Sequence, residues 1–170
     1  MAHETASDGP VVRHAARAVL LDRRDRVLLL ACVDPTREDA ERFWITPGGG
    51  LKAGERHDAG LRRELREELG LTADDLAEVG PWLWHRVITF RWLGRTLEQH
   101  ERFRLLRVDR AELDFAGRSA DEHKALTDHR WFTIDELRVL DDKVAPTRLP
   151  ELLEELLRSG PPAEPIDVGV

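Results

Sequence analysis

Three carboxylates stand close together in this chain, and their spacing suggests a chemistry. Glu64, Glu67 and Glu68 occupy positions i, i+3 and i+4. On a helix advancing about 100° per residue they share one face roughly 100° wide. Like charges so close repel one another, and a bound hard cation reverses that cost. Mg²⁺ suits an oxygen-only set of this kind, with Mn²⁺ as a substitute, because it accepts a few carboxylates and leaves its other positions to water and substrate phosphates. The bland alternative is a solvated helix face balanced by Arg62, Arg63 and Arg66. Against it stands the run Gly48-Gly49-Gly50 just upstream, which can bring backbone groups close to the same face.

The elements that would position these residues can be read from periodicity. Leu61, Leu65 and Leu69 fall within roughly 80° of each other on the neighbouring face of the same helix. The pattern therefore predicts a helix over 56–69, packed on its leucine side and capped by Gly70. Ahead of it, apolar runs over 16–21 and 27–33, parted by a charged turn, predict a hairpin. The segments 79–92 and 97–108, joined around Gly94, predict a second and longer one. Trp131-Phe132 is read as the start of a last short strand. Thr133 caps a helix over 135–140, and Leu149, Leu152, Leu153, Leu156 and Leu157 stripe a closing helix.

The segment from Gly49 to Leu71 resembles the signature of the Nudix superfamily. That signature runs Gly, five residues, Glu, seven residues, Arg-Glu, an aliphatic residue, any residue, Glu-Glu, any residue, Gly and an aliphatic residue. Gly49, Glu55, Arg63, Glu64, Leu65, Glu67, Glu68, Gly70 and Leu71 meet its fixed positions. The resemblance implies an α/β fold, an α/β/α sandwich around a mixed β-sheet. It implies that Glu64, Glu67 and Glu68 bind the divalent ion with a backbone carbonyl of the Gly48-Gly49 turn, and that Gly49 and Gly50 border the substrate. Arg63 would orient the carboxylates, and Glu55 would tie the loop to the helix. The implied activity is Mg²⁺-dependent cleavage of a phosphoanhydride bond in a nucleoside diphosphate linked to another group.

Such enzymes often draw a further acid from outside the signature. Strand alternation puts Gln99 and Glu101 in phase with Leu97, Phe103 and Leu105, and puts Arg86 in phase with Trp84, Ile88 and Phe90. Glu101 is thus a candidate catalytic residue or the partner of Arg86, which could also meet a substrate phosphate. Glu122 and then Asp128, in a stretch read as a loop over 121–130, are the other candidates. Trp84, with Trp82 and Trp92, could stack on a base or sugar, although core packing is the commoner use of such rings.

Composition bounds the rest. At 170 residues, with 41% hydrophobic and 35% charged, the chain reads as a single domain over 11–159 with loosely held tails at 1–10 and 160–170. No apolar run suits a membrane span, and no leader is evident, so a cytoplasmic location is expected. A net charge of -7 argues against general attraction to nucleic acid. The expected partner is a small nucleotide-type diphosphate, and several tryptophans leave room for a homodimer. Three other readings compete. One is a pyrophosphatase clearing oxidised nucleoside triphosphates. Another is an isoprenoid diphosphate isomerase, for which Cys32 on a core strand is a poor acid. The last is a non-catalytic nucleotide-sensing module.

Overall fold

Apolar residues on both faces of two adjacent segments build the centre of the molecule. In the computed structural model, which describes residues 9–109 and 112–169, strand β1 (Val11–Leu21) lies beside β2 (Val27–Cys32), and every residue of β2 is buried. A strand buried on both faces must be apolar throughout, which is why 27–32 reads as an unbroken run. β1 pairs in parallel with β6 (Arg95–Val108), and β6 pairs antiparallel with β5 (Leu76–Trp92). Short strands β3 (Phe43–Ile45), β4 (Gly48–Gly50), β7 (Leu126–Phe132), β8 (Lys143–Ala145) and β9 (Ile166–Asp167) complete, among the described residues, a mixed nine-stranded sheet.

Helices cover both faces. On one, helix α1 (His57–Leu69) lays Leu61, Leu65 and Leu69 against Ala16, Ala18 and Leu20. On the other, α3 (Ile134–Arg138) and α4 (Leu149–Ser159) pack Leu137, Leu149, Leu152, Leu153 and Leu156 against Val19, Leu21, Leu29 and Phe103. This is the expected α/β/α sandwich. Burying each of these leucine side chains contributes about 1.5–3 kcal/mol. Helix α1 ends as expected, with Gly70 in the left-handed region at φ 68°. Thr133 caps α3, its hydroxyl accepting from the Glu136 N–H.

Three expectations are corrected. The stretch 121–130 is not a loop: α2 (Ala120–Ala125) precedes β7, because Ser119 and Glu122 form a reciprocal cap that closes a helical turn. The strand at Trp131-Phe132 ends there rather than beginning, since β7 pairs with β2 from Leu126 onward with its polar side chains toward water. Residues 160–169 are not a loose tail, and residue 170 lies outside the described residues. β9 adds to the edge of β5, the Val168 N–H donates to His85 O, and Val168 is buried in the core. Two residues of edge pairing plus one apolar plug suffice to dock it, a signal too short for periodicity to carry. Of the expected N-terminal tail, residues 1–8 lie outside the described residues. Among the described residues no helix is long and apolar enough to cross a membrane.

Candidate active site

The glycine strand and the acidic helix meet because β4 pairs with β1 while α1 packs across both. Gly48 has φ +125°, and a Cβ there would fall 2.1 Å from Ala16 O, so no side chain fits. At Gly49 a Cβ would lie 2.8 Å from the Glu64 carboxylate carbon. The backbone can therefore reach the carboxylates. The Gly48 N–H donates to Glu68 Oε2 at 2.8 Å, and Arg63 reaches the Gly50 carbonyl at 3.0 Å.

Arg63 ties the helix to its preceding loop. Its Nε and Nη2 donate to the two oxygens of Glu55 at 2.9 and 2.8 Å, and its Nη1 donates to Glu64 at 2.7 Å and to Glu67 at 3.1 Å. A planar guanidinium fork supplies these directions at once, which a lysine cannot. Held by Arg63 and by the Lys52 N–H, the Glu55 carboxyl is pulled down to about 2. Arg63 thus touches Glu64 and Glu67, the carboxylates it was expected to orient, and Glu55 spans from the loop at Lys52 to the helix at Arg63.

Ligand atoms of Glu64, Glu68 and Glu122 lie within 4.8 Å of one another. Burial raises the Glu64 carboxyl and pushes Glu68 up to about 8. Packing charge-prone oxygens together in a dry place is costly by itself. A hard divalent cation removes the cost, and the all-oxygen donor set fits one. Glu67, expected in the set, is outside this trio. It is half-exposed and engaged by Arg63, since at i+3 from Glu64 it points away from the sheet side of the helix. The Gly48 carbonyl, the expected backbone ligand, accepts from Arg17 at 2.6 Å. Glu122 reaches the trio from α2, with Ser119 N–H on its Oε2 at 2.7 Å. Asp128 projects from β7 into solvent and does not line the site.

The trio forms part of the wall of an open cleft of 1390 Å³. Across from it, Glu101 takes Arg86 Nε at 2.5 Å, Arg17 Nε at 2.9 Å and Gln99 Nε2 at 2.7 Å. These donors favour its ionised form despite its burial, and through them it orients the two arginines. Arg86 therefore faces the cleft as the partner of Glu101. Trp84 is corrected: it is 2% exposed and packs on Phe103 in the core, and Trp92 is the tryptophan that lines the cleft. The register runs unbroken from Trp84 to Trp92, so Trp84 does share the face of Arg86, but at the end of it that packs into the core with Leu153; alternation gives a residue's face and not its distance from the cleft. Of the five tryptophans, Trp44 and Trp84 are buried and Trp82, Trp92 and Trp131 are partly exposed.

Comparison with known proteins bears on this geometry. Residues 12–156 match the family model described as NUDIX domain. The chain belongs to the NUDIX family. It is 31% identical over 112 residues to an RNA pyrophosphohydrolase of Wolbachia pipientis subsp. Culex pipiens, covering 59% of this chain and 65% of that protein. An RNA pyrophosphohydrolase of Alkalilimnicola ehrlichii is 30% identical over 140 residues, covering 76% of this chain and 77% of that protein. The chain thus spans slightly less than two thirds of the Wolbachia relative. The crystal structure of a MutT NUDIX hydrolase from Burkholderia pseudomallei has a TM-score of 0.57 at 22% identity, covering 85% of this chain and 98% of that one, a likeness of fold.

Two residues of this NUDIX site escaped the sequence reading. Arg17 bridges Glu101 to the carbonyls of Thr46 and Gly48. Its signal was available: a lone charge inside the buried run 15–21, in phase with Val19 and Leu21, needs a buried partner. Arg118 donates to the Glu68 carbonyl at 3.0 Å and covers the Phe115 ring, and no pattern in the sequence points to it.

Proposed function

We propose that the chain hydrolyses a phosphoanhydride bond in a nucleoside diphosphate linked to another group, with Mg²⁺ at Glu64, Glu68 and Glu122. The observation that carries the reading is the convergence of three carboxylates, two of them buried, on the wall of a cleft large enough for such a substrate. When bound, the cation supplies positive charge to the phosphate oxygens and makes a coordinated water more acidic. The protein's own part is positioning. Arg63 fixes Glu64, the Gly48 N–H fixes one oxygen of Glu68, and the Ser119 N–H fixes one oxygen of Glu122. A carboxylate of the cluster takes the proton of the attacking water as its oxygen bonds to phosphorus. The anhydride P–O bond breaks, the electron pair leaves with the departing phosphate, and two phosphate-bearing fragments result.

The test is product release from nucleoside diphosphate sugars, dinucleoside polyphosphates, normal and oxidised nucleoside triphosphates and a 5′-triphosphorylated RNA. Each is assayed with Mg²⁺ and with chelator, for wild type and Glu68→Gln. Metal-dependent turnover lost in the variant is expected. Binding without turnover across the panel would replace this reading with a nucleotide-sensing module. The RNA arm has its own ground: the curated relatives at 30–31% identity are RNA pyrophosphohydrolases, which favours pyrophosphate removal from an RNA 5′ end as the second reading.

A further inference from the structure

Six arginines line the cleft: Arg37, Arg91 and Arg138 are exposed, whereas Arg13, Arg17 and Arg86 are buried or half-buried, and two of these three have protein partners. Arg17 and Arg86 are bound to Glu101, and Arg17 also to backbone carbonyls. Arg13, on the same face of β1 as Arg17, has no hydrogen bond or ion pair among the described residues. Its register partner on β6 is Gln99, whose Oε1 is buried and likewise without a partner among the described residues, so Arg13 is not engaged there either.

We propose that Arg13 is a substrate-binding residue whose guanidinium takes non-bridging oxygens of a substrate phosphate beside the carboxylate cluster. The proposal rests on the diphosphate reading given above. A half-buried guanidinium without a partner is costly to keep, and burial together with the charge of Arg17 pushes its pKa down, against the pull of Glu64, Glu101 and Glu68. Stability alone would favour a neutral side chain at this position. Room has nonetheless been made for it: the guanidinium lies over Gly50, where a Cβ would come within 2.3 Å of Arg13 Nε. Any larger residue at 50 would displace it. Arg13 also stands where two spaces join. With Leu51 and Trp92 it lines both the main cleft and an adjoining cavity of 700 Å³. A phosphate chain passing from one to the other meets this guanidinium, and its fork matches two phosphate oxygens at once.

The experiment compares wild type, Arg13→Gln and Arg13→Lys. Steady-state kinetics use the panel substrate that wild type turns over, and the melting temperature of each protein is measured in chelator with and without inorganic pyrophosphate. For Arg13→Gln the expected result is a KM raised about ten- to hundredfold with a smaller change in kcat. Arg13→Lys should recover part of the loss. The pyrophosphate-induced rise in melting temperature should disappear in Arg13→Gln, while the unliganded variant melts no lower than wild type. A structural arginine would behave oppositely, with a lower melting temperature or failure to fold and an intact response to pyrophosphate, and either result overturns the proposal. So does an unchanged KM. If wild type turns over nothing, the diphosphate reading fails by itself, and the pyrophosphate response then decides whether Arg13 is an anion site.

Discussion

Replacing Glu68 by Gln should stabilise the metal-free protein while abolishing its response to Mg²⁺. In the fold the Glu68 carboxyl is pushed from its ordinary 4.5 up to about 8, chiefly by burial. An acid whose folded value is raised favours folding fully below the unfolded value and loses that contribution as pH rises toward the folded one. The penalty in wild type is therefore absent below about pH 4.5, grows through the interval, and is complete above about 8. At pH 7 it is bounded by about 3 kcal/mol, and about 1–2 kcal/mol is expected once water and neighbouring carboxylates relax. Glutamine removes the charge and keeps an oxygen to accept from the Gly48 N–H. For a chain of this size the gain is about 2–8 °C in melting temperature. Calorimetry or fluorescence melting in chelator at several pH values should show the variant above wild type at pH 7–8 and the gap closing toward pH 4.5. Saturating Mg²⁺ should then reverse the order, adding about 2–3 kcal/mol to wild type alone. A variant equal to or below wild type in chelator, with no pH dependence in the difference, would refute the claim that the buried carboxylates are held at a cost that only a cation removes.

Arg63→Ala strands Glu55 and Glu64 and should cost about 2–3 kcal/mol in chemical denaturation, with Arg63→Lys recovering little because the bidentate contact to Glu55 needs the guanidinium fork. Glu101→Gln weakens the partner of two largely buried arginines and should cost about 3 kcal/mol at neutral pH. Because the Glu101 carboxyl is held low, its contribution is present above about pH 4.5 and fades as pH falls further, so urea midpoints of variant and wild type should converge in acid. Gly48→Ala puts a Cβ into Ala16 O in a backbone region closed to alanine; a loss of about 3 kcal/mol or more, or insoluble protein, is expected, and a midpoint unchanged in denaturation would show the turn can shift.

Much of the candidate site was legible because it is local. Glu55, Arg63, Glu64 and Glu68 lie on one loop and one helix, where the 3.6-residue period dictates which side chains share a face, and the glycine run announces a close approach of backbone. The Arg86–Glu101 pair was legible for a similar reason, since alternation along two strands of one hairpin puts them in register. What failed depended on phase or on contact at a distance. Trp84 was misplaced because alternation gives its face and not its depth in the core, the docking of 160–169 was missed because it rests on a two-residue strand, and Glu67 stands at the edge of the helix face, outside the trio.

The amino-acid order alone determined the family signature, the main hairpins, the helix bearing the carboxylates and the demand for a cation, because each follows from spacing within a short stretch. Only the tertiary structure decided that Glu122 rather than Glu67 joins Glu64 and Glu68, that Arg17 shares Glu101 with Arg86, and that Arg13 is left without a partner among the described residues. Those facts depend on β1 lying parallel to β6 and on α2 approaching α1. Such pairings join residues far apart in the chain, and they are selected by burial of the whole sheet between its two helical layers rather than by any local pattern.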